Sequence, residues 1–350
     1  MDKKVDRKNK SAKKRNIEAI YDLAPLQKGM LFESLKSPNS GVFITQPVVI
    51  LKGVINIDSL EMAWRDVINH FPILRTVFSY ENREKPYQIV LRSVNFSIIS
   101  YDWRSLNEDS KKQQLKKLLK ERRLQGFNFN QAPLMSVVLV QFSEDEYRLV
   151  WTHHHILLDG WSVGRVMNSL VVAYDAREKN TTPNLTQTES YESYINWLSS
   201  RDIKQDEKFW RHYLAGFEAK NVLPRFGMDT RQTGENYGYV EYGLSAQLTQ
   251  RLVRRAREQR VTQNTLVQAA WALLLSRYTN TTDVVFGAVS SGRPAELKGV
   301  ETIVGLLINT VPVRIKLSHK HIIKEILESL QAANGQLREH EHVSLSDIQH

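Results

Sequence analysis

Leu149-Val150-Trp151-Thr152-His153-His154-His155-Ile156-Leu157-Leu158-Asp159-Gly160-Trp161-Ser162 reads as a strand that runs into a turn and then into a helix. The β-branched and aromatic residues before the histidines favour extended backbone. Asp159-Gly160 is a turn dipeptide. From Val163 onward apolar residues fall at 163, 166, 167, 170, 171 and 174, the stripe of an amphipathic helix. If the strand persists to position 155, alternation puts Trp151, His153 and His155 on one face and Thr152 and His154 on the other. The histidines then lie at a strand end facing a helix N-terminus, a place suited to steadying a developing oxyanion.

Three readings fit these residues. A histidine titrating near neutral pH can serve as general base toward an amine or hydroxyl. His153 and His155 converging with Asp159 could hold zinc, although no second cluster of His or Asp/Glu supplies further ligands. Core or supporting histidines are the third reading.

Outward from this stretch the order of elements is mixed α/β. Residues 24–36 read as a helix with Pro25 in its first turn and Leu26, Met30, Leu31 and Leu35 as its apolar stripe. A strand is expected over Val42–Leu51, a helix over Ile57–Phe71, and strands over Leu74–Tyr80 and Tyr87–Leu91 around an Asn82–Pro86 turn. Ser110–Arg123 is a charged helix, and Leu134–Phe142 with Tyr147–His154 forms a hairpin across Ser143–Glu146. After a polar boundary at Lys179–Thr188, helices are expected at Tyr191–Leu198 and Asp202–Leu214. A loose stretch at 227–238 precedes a strand at Tyr239–Leu244. Helices at 246–259, 264–278 and 319–337 and strands at Asp283–Val289 and Leu306–Ile315 complete the reading.

The chain has 350 residues, 41% hydrophobic and 25% charged, with no cysteine. Disulfides, thiolate nucleophiles and Cys-ligated metals are thereby excluded. No apolar run approaches the roughly 18 residues that span a bilayer, so a cytoplasmic protein without a membrane role is expected. Of the net charge of +10, +6 sits in residues 1–16 and +4 in all the rest. The excess is a tail rather than a basic face, which argues against nucleic acid and leaves two readings, a flexible interaction arm and a solvated leader with no role.

His154-His155-x-x-x-Asp159-Gly160 resembles the His-His-x-x-x-Asp-Gly signature of condensation domains from nonribosomal peptide synthetases, within the chloramphenicol acetyltransferase-like superfamily. Other motifs of that family stand in order. Tyr21-Asp-Leu23-Ala-Pro25-Leu26-Gln27-Lys-Gly29-Met30-Leu31-Phe32 resembles the opening one, and Leu74-Arg75-Thr76-Val-Phe78 with Pro86-Tyr-Gln88-Ile-Val90 the second. Tyr191-Glu-Ser-Tyr194-Ile-Asn-Trp197, with Phe209-Trp210 after it, is similar to the fourth. Val304-Gly305-Leu306-Leu-Ile-Asn309-Thr310-Val-Pro312-Val-Arg314, preceded by Ser291-Gly292-Arg293-Pro294, is similar to the fifth. Trp161-Ser162 departs from the Ser-Trp of epimerization domains, and the aspartates of heterocyclization domains are absent.

The resemblance implies an α/β (α+β) fold of two acetyltransferase-like lobes in a V, with a tunnel between them. The expected division is 1–16 as basic tail, 17–188 as the lobe carrying the motif, and 189–350 as a second lobe cut short. It implies peptide-bond formation: the amine of a carrier-bound aminoacyl group attacks a carrier-bound peptidyl or aminoacyl thioester. No cofactor is bound directly, and the substrates ride on the phosphopantetheine arms of partner carrier proteins. The expected partners are an upstream donor carrier, reached through the basic tail, a downstream acceptor carrier, and an adenylation domain in the same polypeptide. By family position His155 is catalytic and His154 structural. Asp159 would pair with an arginine, Arg293 by preference and Arg75 as the alternative, and so hold the catalytic loop. Gly160 would act through its N–H and its missing side chain. Trp161 and Asn309 are candidates for substrate contact, with packing and buried hydrogen bonding as their plainer readings. A docking module of the same fold and a freestanding CoA-dependent acyltransferase are the alternatives.

Overall fold

The structure, a computed structural model, describes residues 16–81, 84–218, 240–318 and 322–349. The basic segment 1–15, the loop 227–238 and parts of the turn at 82–86 and of the helix start at 319 lie outside these. The strands are β1 (Ile17–Asp22), β2 (Ile44–Thr45), β3 (Val48–Lys52), β4 (Thr76–Ser79), β5 (Tyr87–Leu91), β6 (Ile99–Asp102), β7 (Met135–Gln141), β8 (Glu146–His154), β9 (Asp283–Ser290) and β10 (Asn309–Lys316). The helices are α1 (Pro25–Lys36), α2 (Ile57–His70), α3 (Glu108–Gln125), α4 (Gly160–Glu178), α5 (Tyr191–Ser199), α6 (Ile203–Tyr213), α7 (Ala246–Glu258), α8 (Gln263–Thr279), α9 (Ile323–Glu339) and the short α10 (Leu345–Gln349). No helix among the described residues is long and apolar enough to cross a membrane.

The chain packs as two compact units, one of residues up to Arg201 plus Ser291–Ile308, the other of Asp202–Ser290 plus Asn309–His350. This division differs from the boundary at 188/189 drawn from composition. Helix α5 and the segment 291–308 both belong to the first unit.

In the first unit β8 is the central strand. It pairs antiparallel with β7 along its length and with β2 and β3 on its other side, while β6 runs parallel to β7. Both faces of this sheet are covered. Met135, Val137, Leu139, Tyr147, Leu149 and Trp151 face the main core with Trp64 of α2, and Val138, Val140 and Val150 face Leu118 of α3. A sheet buried on two sides reads as a continuous apolar run rather than as alternation, which is why β7 and β8 are so plain in the sequence. Helix α2 buries Leu60, Ala63, Trp64, Val67 and Ile68, spaced as one helical face, and packs on α4. The rings of Trp64 and Trp151 lie 5.2 Å apart. In a second sheet, β1-β5-β4, strand β1 ends in the first residues of the opening motif, which continues into α1.

Several elements differ from expectation. The strand expected over Val42–Leu51 is two, β2 and β3, parted at Gln46-Pro47 because proline cannot donate to the ladder. Residues 240–244, expected as a strand, are irregular, and Tyr239 is not described. The strand expected from Leu306 starts only at Asn309. The carbonyls of Leu306 and Leu307 are taken by the hydroxyls of Tyr191 and Tyr194 at 2.7 and 3.3 Å. Strands β1 and β6 have no counterpart among the expected elements.

The second unit holds the β9–β10 ribbon with Gly287 opposite Pro312, and a core of Ala272 and Leu275 from α8, Val311 and Val313 from β10, and Leu327 and Leu330 from α9.

Candidate functional site

Strand β8 ends at His154, and residues 155–157 turn. The condition under which His153 and His155 would share a face, a strand persisting to position 155, is therefore not met. His153 and His154 are buried, and His155 is only partly so. The N–H of His155 donates to the carbonyl of Phe43 at 2.7 Å, which pins the turn against the loop before β2. Phe43 has φ 58°, a left-handed conformation uncommon for a bulky residue, so this anchor is held against local strain. The Nδ1 atom of His155 is buried without a hydrogen-bond partner among the described residues. No carboxylate or carbonyl therefore orients this ring from behind, unlike the base of a nucleophile–base–acid triad.

His154 is a fully used wall. Ser34 Oγ donates to the Met30 carbonyl at 2.7 Å, so the 3.1 Å contact with His154 Nε2 must be donated by the imidazole. Nδ1 then accepts the Ile156 N–H at 3.1 Å. Burial, aided by the neighbouring histidines, pushes His154 down to about 3 and His153 to about 4. A cavity of about 370 Å³ between α1, the 37–42 loop and residues 125–130 reaches His154, but that ring has both nitrogens engaged and no basicity to offer. His153 lies 4.6 Å from the Trp151 ring and points into the core. Among the described residues no group of three or more His, Cys, Asp or Glu side chains could hold a metal ion, so the zinc reading finds no further ligands.

Neutral buried histidines make stability pH-dependent with a definite sign. Above the ordinary histidine range near 6.5 both states are neutral. As pH falls toward 4 and then 3, the unfolded chain binds protons that the folded one refuses, and stability falls. Urea unfolding should therefore give a lower stability at pH 5 than at pH 7. His154→Gln, which cannot titrate, should flatten that slope, and a slope unchanged by it would contradict the assignment.

Asp159 caps α4. Its Oδ1 accepts the Ser162 N–H at 2.8 Å and its Oδ2 accepts the Leu307 N–H at 3.2 Å. Nη2 of Arg293 reaches both carboxylate oxygens, at 3.3 and 3.1 Å. Asp159 is fully buried and the Arg293 side chain 10% exposed. Burial pulls the guanidinium down from its usual value, and Asp159 opposes that pull. Arg293 also donates from Nη1 to the carbonyls of Val300 and Ile303, at 2.6 and 3.2 Å. The alternative partner, Arg75, is elsewhere. It pairs with Glu18 at 2.7 Å and donates to the carbonyls of Ile68, Asn69 and Leu91, joining the end of α2 to β1 and β5. Placing Arg75 at the Asp159 site is corrected accordingly.

Ser162 and Gly305 complete the lock, a part that the sequence motifs assign to neither. Ser162 Oγ donates to the Gly305 carbonyl at 2.9 Å and accepts the Gly305 N–H at 3.0 Å, while the Asp159 N–H donates to that same carbonyl at 3.1 Å. A Cβ on Gly305 would sit 2.1 Å from the Tyr191 ring, and one on Gly292 (φ +59°) 1.7 Å from the Leu307 carbonyl oxygen. These glycines let the 291–308 segment lie against α4 and α5.

Gly160 is different. It opens α4, is exposed, and an added Cβ would meet nothing within 4 Å. Packing within the chain does not demand a glycine there. Trp161 is 59% exposed; its Nε1 donates to the Glu301 carbonyl at 3.1 Å, and its ring lies 5.7 Å from the Arg293 guanidinium. Asn309 belongs to the second unit. It is buried, with Nδ2 donating to the carbonyls of Glu341 and Val343 at 2.8 and 2.6 Å, so its amide hydrogens are committed.

A half-buried histidine on a pinned turn, beside a helix start locked by a buried ion pair, suits a reaction needing a positioned proton acceptor or hydrogen-bonding group. Known proteins agree in kind. The chain is 39% identical over 335 residues to one of the linear gramicidin synthase proteins of Brevibacillus parabrevis and 37% identical to bacitracin synthase 1 of Bacillus licheniformis. These matches take in 94% and 95% of the chain but only 4% and 6% of those proteins. Among solved structures it resembles the X-domain in its complex with OxyB from teicoplanin biosynthesis (TM-score 0.79, 26% identity, 95% of this chain and 73% of that one). The first condensation domain of the calcium-dependent antibiotic synthetase shares the fold (TM-score 0.74, 18% identity, 94% and 77%). Residues 17–350 match the family described as Condensation domain. The chain thus belongs to the condensation-domain family of nonribosomal peptide synthetases.

Proposed function

We propose that this chain is a working condensation domain, joining a carrier-bound donor acyl thioester to the amine of a carrier-bound aminoacyl acceptor. The observation that carries this is His155 itself: partly exposed, pinned through its own N–H to Phe43, and four residues before the Asp159–Arg293 lock. In the step proposed, the acceptor's neutral α-amine attacks the thioester carbonyl and a tetrahedral oxyanion forms. The carbon–sulfur bond then breaks, and the amine's surplus proton passes to the departing thiolate. His155 accepts that proton or a hydrogen bond from the amine, and holds the amine in line. Open space around Gly160 and the N–H groups of Gly160 and Trp161, which precede the Ser162 N–H capped by Asp159, favour approach of the oxyanion from solvent on that side.

The chain needs no cofactor of its own in this scheme; the phosphopantetheine arms belong to the donor and acceptor carriers. An adenylation domain in the same polypeptide and a cytoplasmic setting complete the proposal. The basic tail would serve as the arm that meets the donor's carrier. The likeness to an X-domain gives a second reading, a docking module without turnover. A side-by-side assay separates the main proposal from a CoA-dependent acyltransferase. Amide formation should be at least tenfold faster from carrier-bound than from CoA-bound donor at equal concentration. Equal rates would favour the freestanding acyltransferase.

A further inference from the structure

A second, smaller cavity of about 190 Å³ lies in the first unit between α4 and residues 184–188. Helix α4 turns Arg165, Asn168 and Ser169 toward it, at the i, i+3, i+4 spacing of a single face. Asn184, Thr186 and Thr188 line the opposite side, where His70 holds the loop by a 3.0 Å contact to the Thr186 carbonyl. No carboxylate lines the cavity.

Arg165 has neither an ion pair nor a hydrogen bond among the described residues, and its Nε is buried without a partner. Its near neighbour Arg293 feels it as a like charge. Asp159, six residues before it in the chain, is already engaged by Arg293, Ser162 and Leu307. A guanidinium cannot shed its proton to escape partial burial, so a positive charge is left without a counter-charge. The side chains of Asn168, Ser169, Asn184, Thr186 and Thr188 likewise make no hydrogen bond among the described residues. A lone fork-shaped cation beside five neutral hydrogen-bonding side chains, with Phe71, Val172 and Leu185 completing the lining, matches a tetrahedral oxyanion, which Arg binds through two parallel N–H bonds.

We infer that this cavity binds a phosphate group, with Arg165 as its charged anchor and the Asn, Ser and Thr side chains as its hydrogen-bonding rim. The inference does not depend on the condensation reaction. Two sources share the chemistry: the phosphate ester of a phosphopantetheine arm and free inorganic phosphate. Occupancy would also offset the repulsion that Arg165 exerts on Arg293, and so steady the Asp159 lock.

The test is calorimetric titration of the full chain with inorganic phosphate, 4′-phosphopantetheine and pantetheine at constant ionic strength. Saturable one-to-one binding of phosphate or phosphopantetheine is expected, with pantetheine silent. Phosphopantetheine binding at least tenfold tighter than phosphate would assign the arm; equal affinities would assign the free anion. Arg165→Gln should weaken binding at least tenfold. Without ligand it should unfold at the same temperature as the parent chain or a higher one, since it removes an uncompensated charge. Asn184→Leu, which keeps the charge, should weaken binding several-fold and guards against a misfolded first variant. Absence of saturable binding, binding indifferent to both substitutions, or an Arg165→Gln chain that melts lower without ligand would each overturn the site.

Discussion

His155→Ala should cut amide formation by roughly 10²–10⁴-fold while leaving the melting temperature nearly unchanged. The stability half follows from position. His155 is only partly buried, its ring nitrogens make no hydrogen bond among the described residues, and its anchor to Phe43 uses the backbone N–H, which alanine retains. The rate half follows from chemistry, because an imidazole can take a proton or a hydrogen bond from the attacking amine. Two roles can be told apart. A general base matters less for acceptors whose amine is already deprotonated, so the loss should shrink as amine pKa falls. A positioning group gives a loss independent of amine pKa, and His155→Asn or Gln should recover part of it. His154→Ala should act chiefly through stability. Near-normal turnover without His155, with chemistry shown to be rate-limiting, would remove both roles.

Asp159→Ala should be the most damaging single change to the first unit. It removes the cap of α4, the acceptor for the Leu307 N–H and the counter-charge of Arg293. Breaking one side of a buried ion pair costs about 3–5 kcal/mol, against total domain stabilities of about 5–15 kcal/mol. Lost soluble yield or a large fall in melting temperature is expected together with lost activity. Asp159→Asn keeps the acceptor oxygen for Ser162 but not the charge, so it should fall between. An alanine variant that melts normally yet makes no product would instead give Asp159 a direct part in the chemistry.

Much of this architecture is legible in the amino-acid sequence. β7 and β8 stand out because a doubly covered sheet has no polar face to interrupt the apolar run, and α2 because Asn56 caps it and one face is wholly buried. The Asp159–Arg293 pair is expected from the resemblance, with Arg75 the rival, and spacing alone does not choose between them. The pair spans 134 residues, and its geometry depends on Gly292 and Gly305 letting the 291–308 segment lie against α4. The part played by Ser162 is hidden for the same reason: its partner, Gly305, is 143 residues away. The end of β8 at His154 is legible as well, and only the conditional extension to position 155 fails: the His155 N–H still meets the Phe43 carbonyl opposite it across β2, and there the chain turns. Strand β6 leaves no clear pattern because its residues are largely exposed and its partner β7 lies beyond α3, which carries the chain across to a parallel pairing.

The central claim is that this chain makes an amide bond rather than only docking carriers. Intact-protein mass spectrometry of the acceptor carrier tests it, after incubation of the chain with an acyl-loaded donor carrier and an aminoacyl-loaded acceptor carrier. The acceptor should gain the mass of the donor acyl group, in product that survives as an amide after the thioester is cleaved with base, and His155→Ala should abolish the gain. An acceptor mass that never changes, with both carriers loaded and the chain folded and binding them, would contradict the account and leave a docking module in its place.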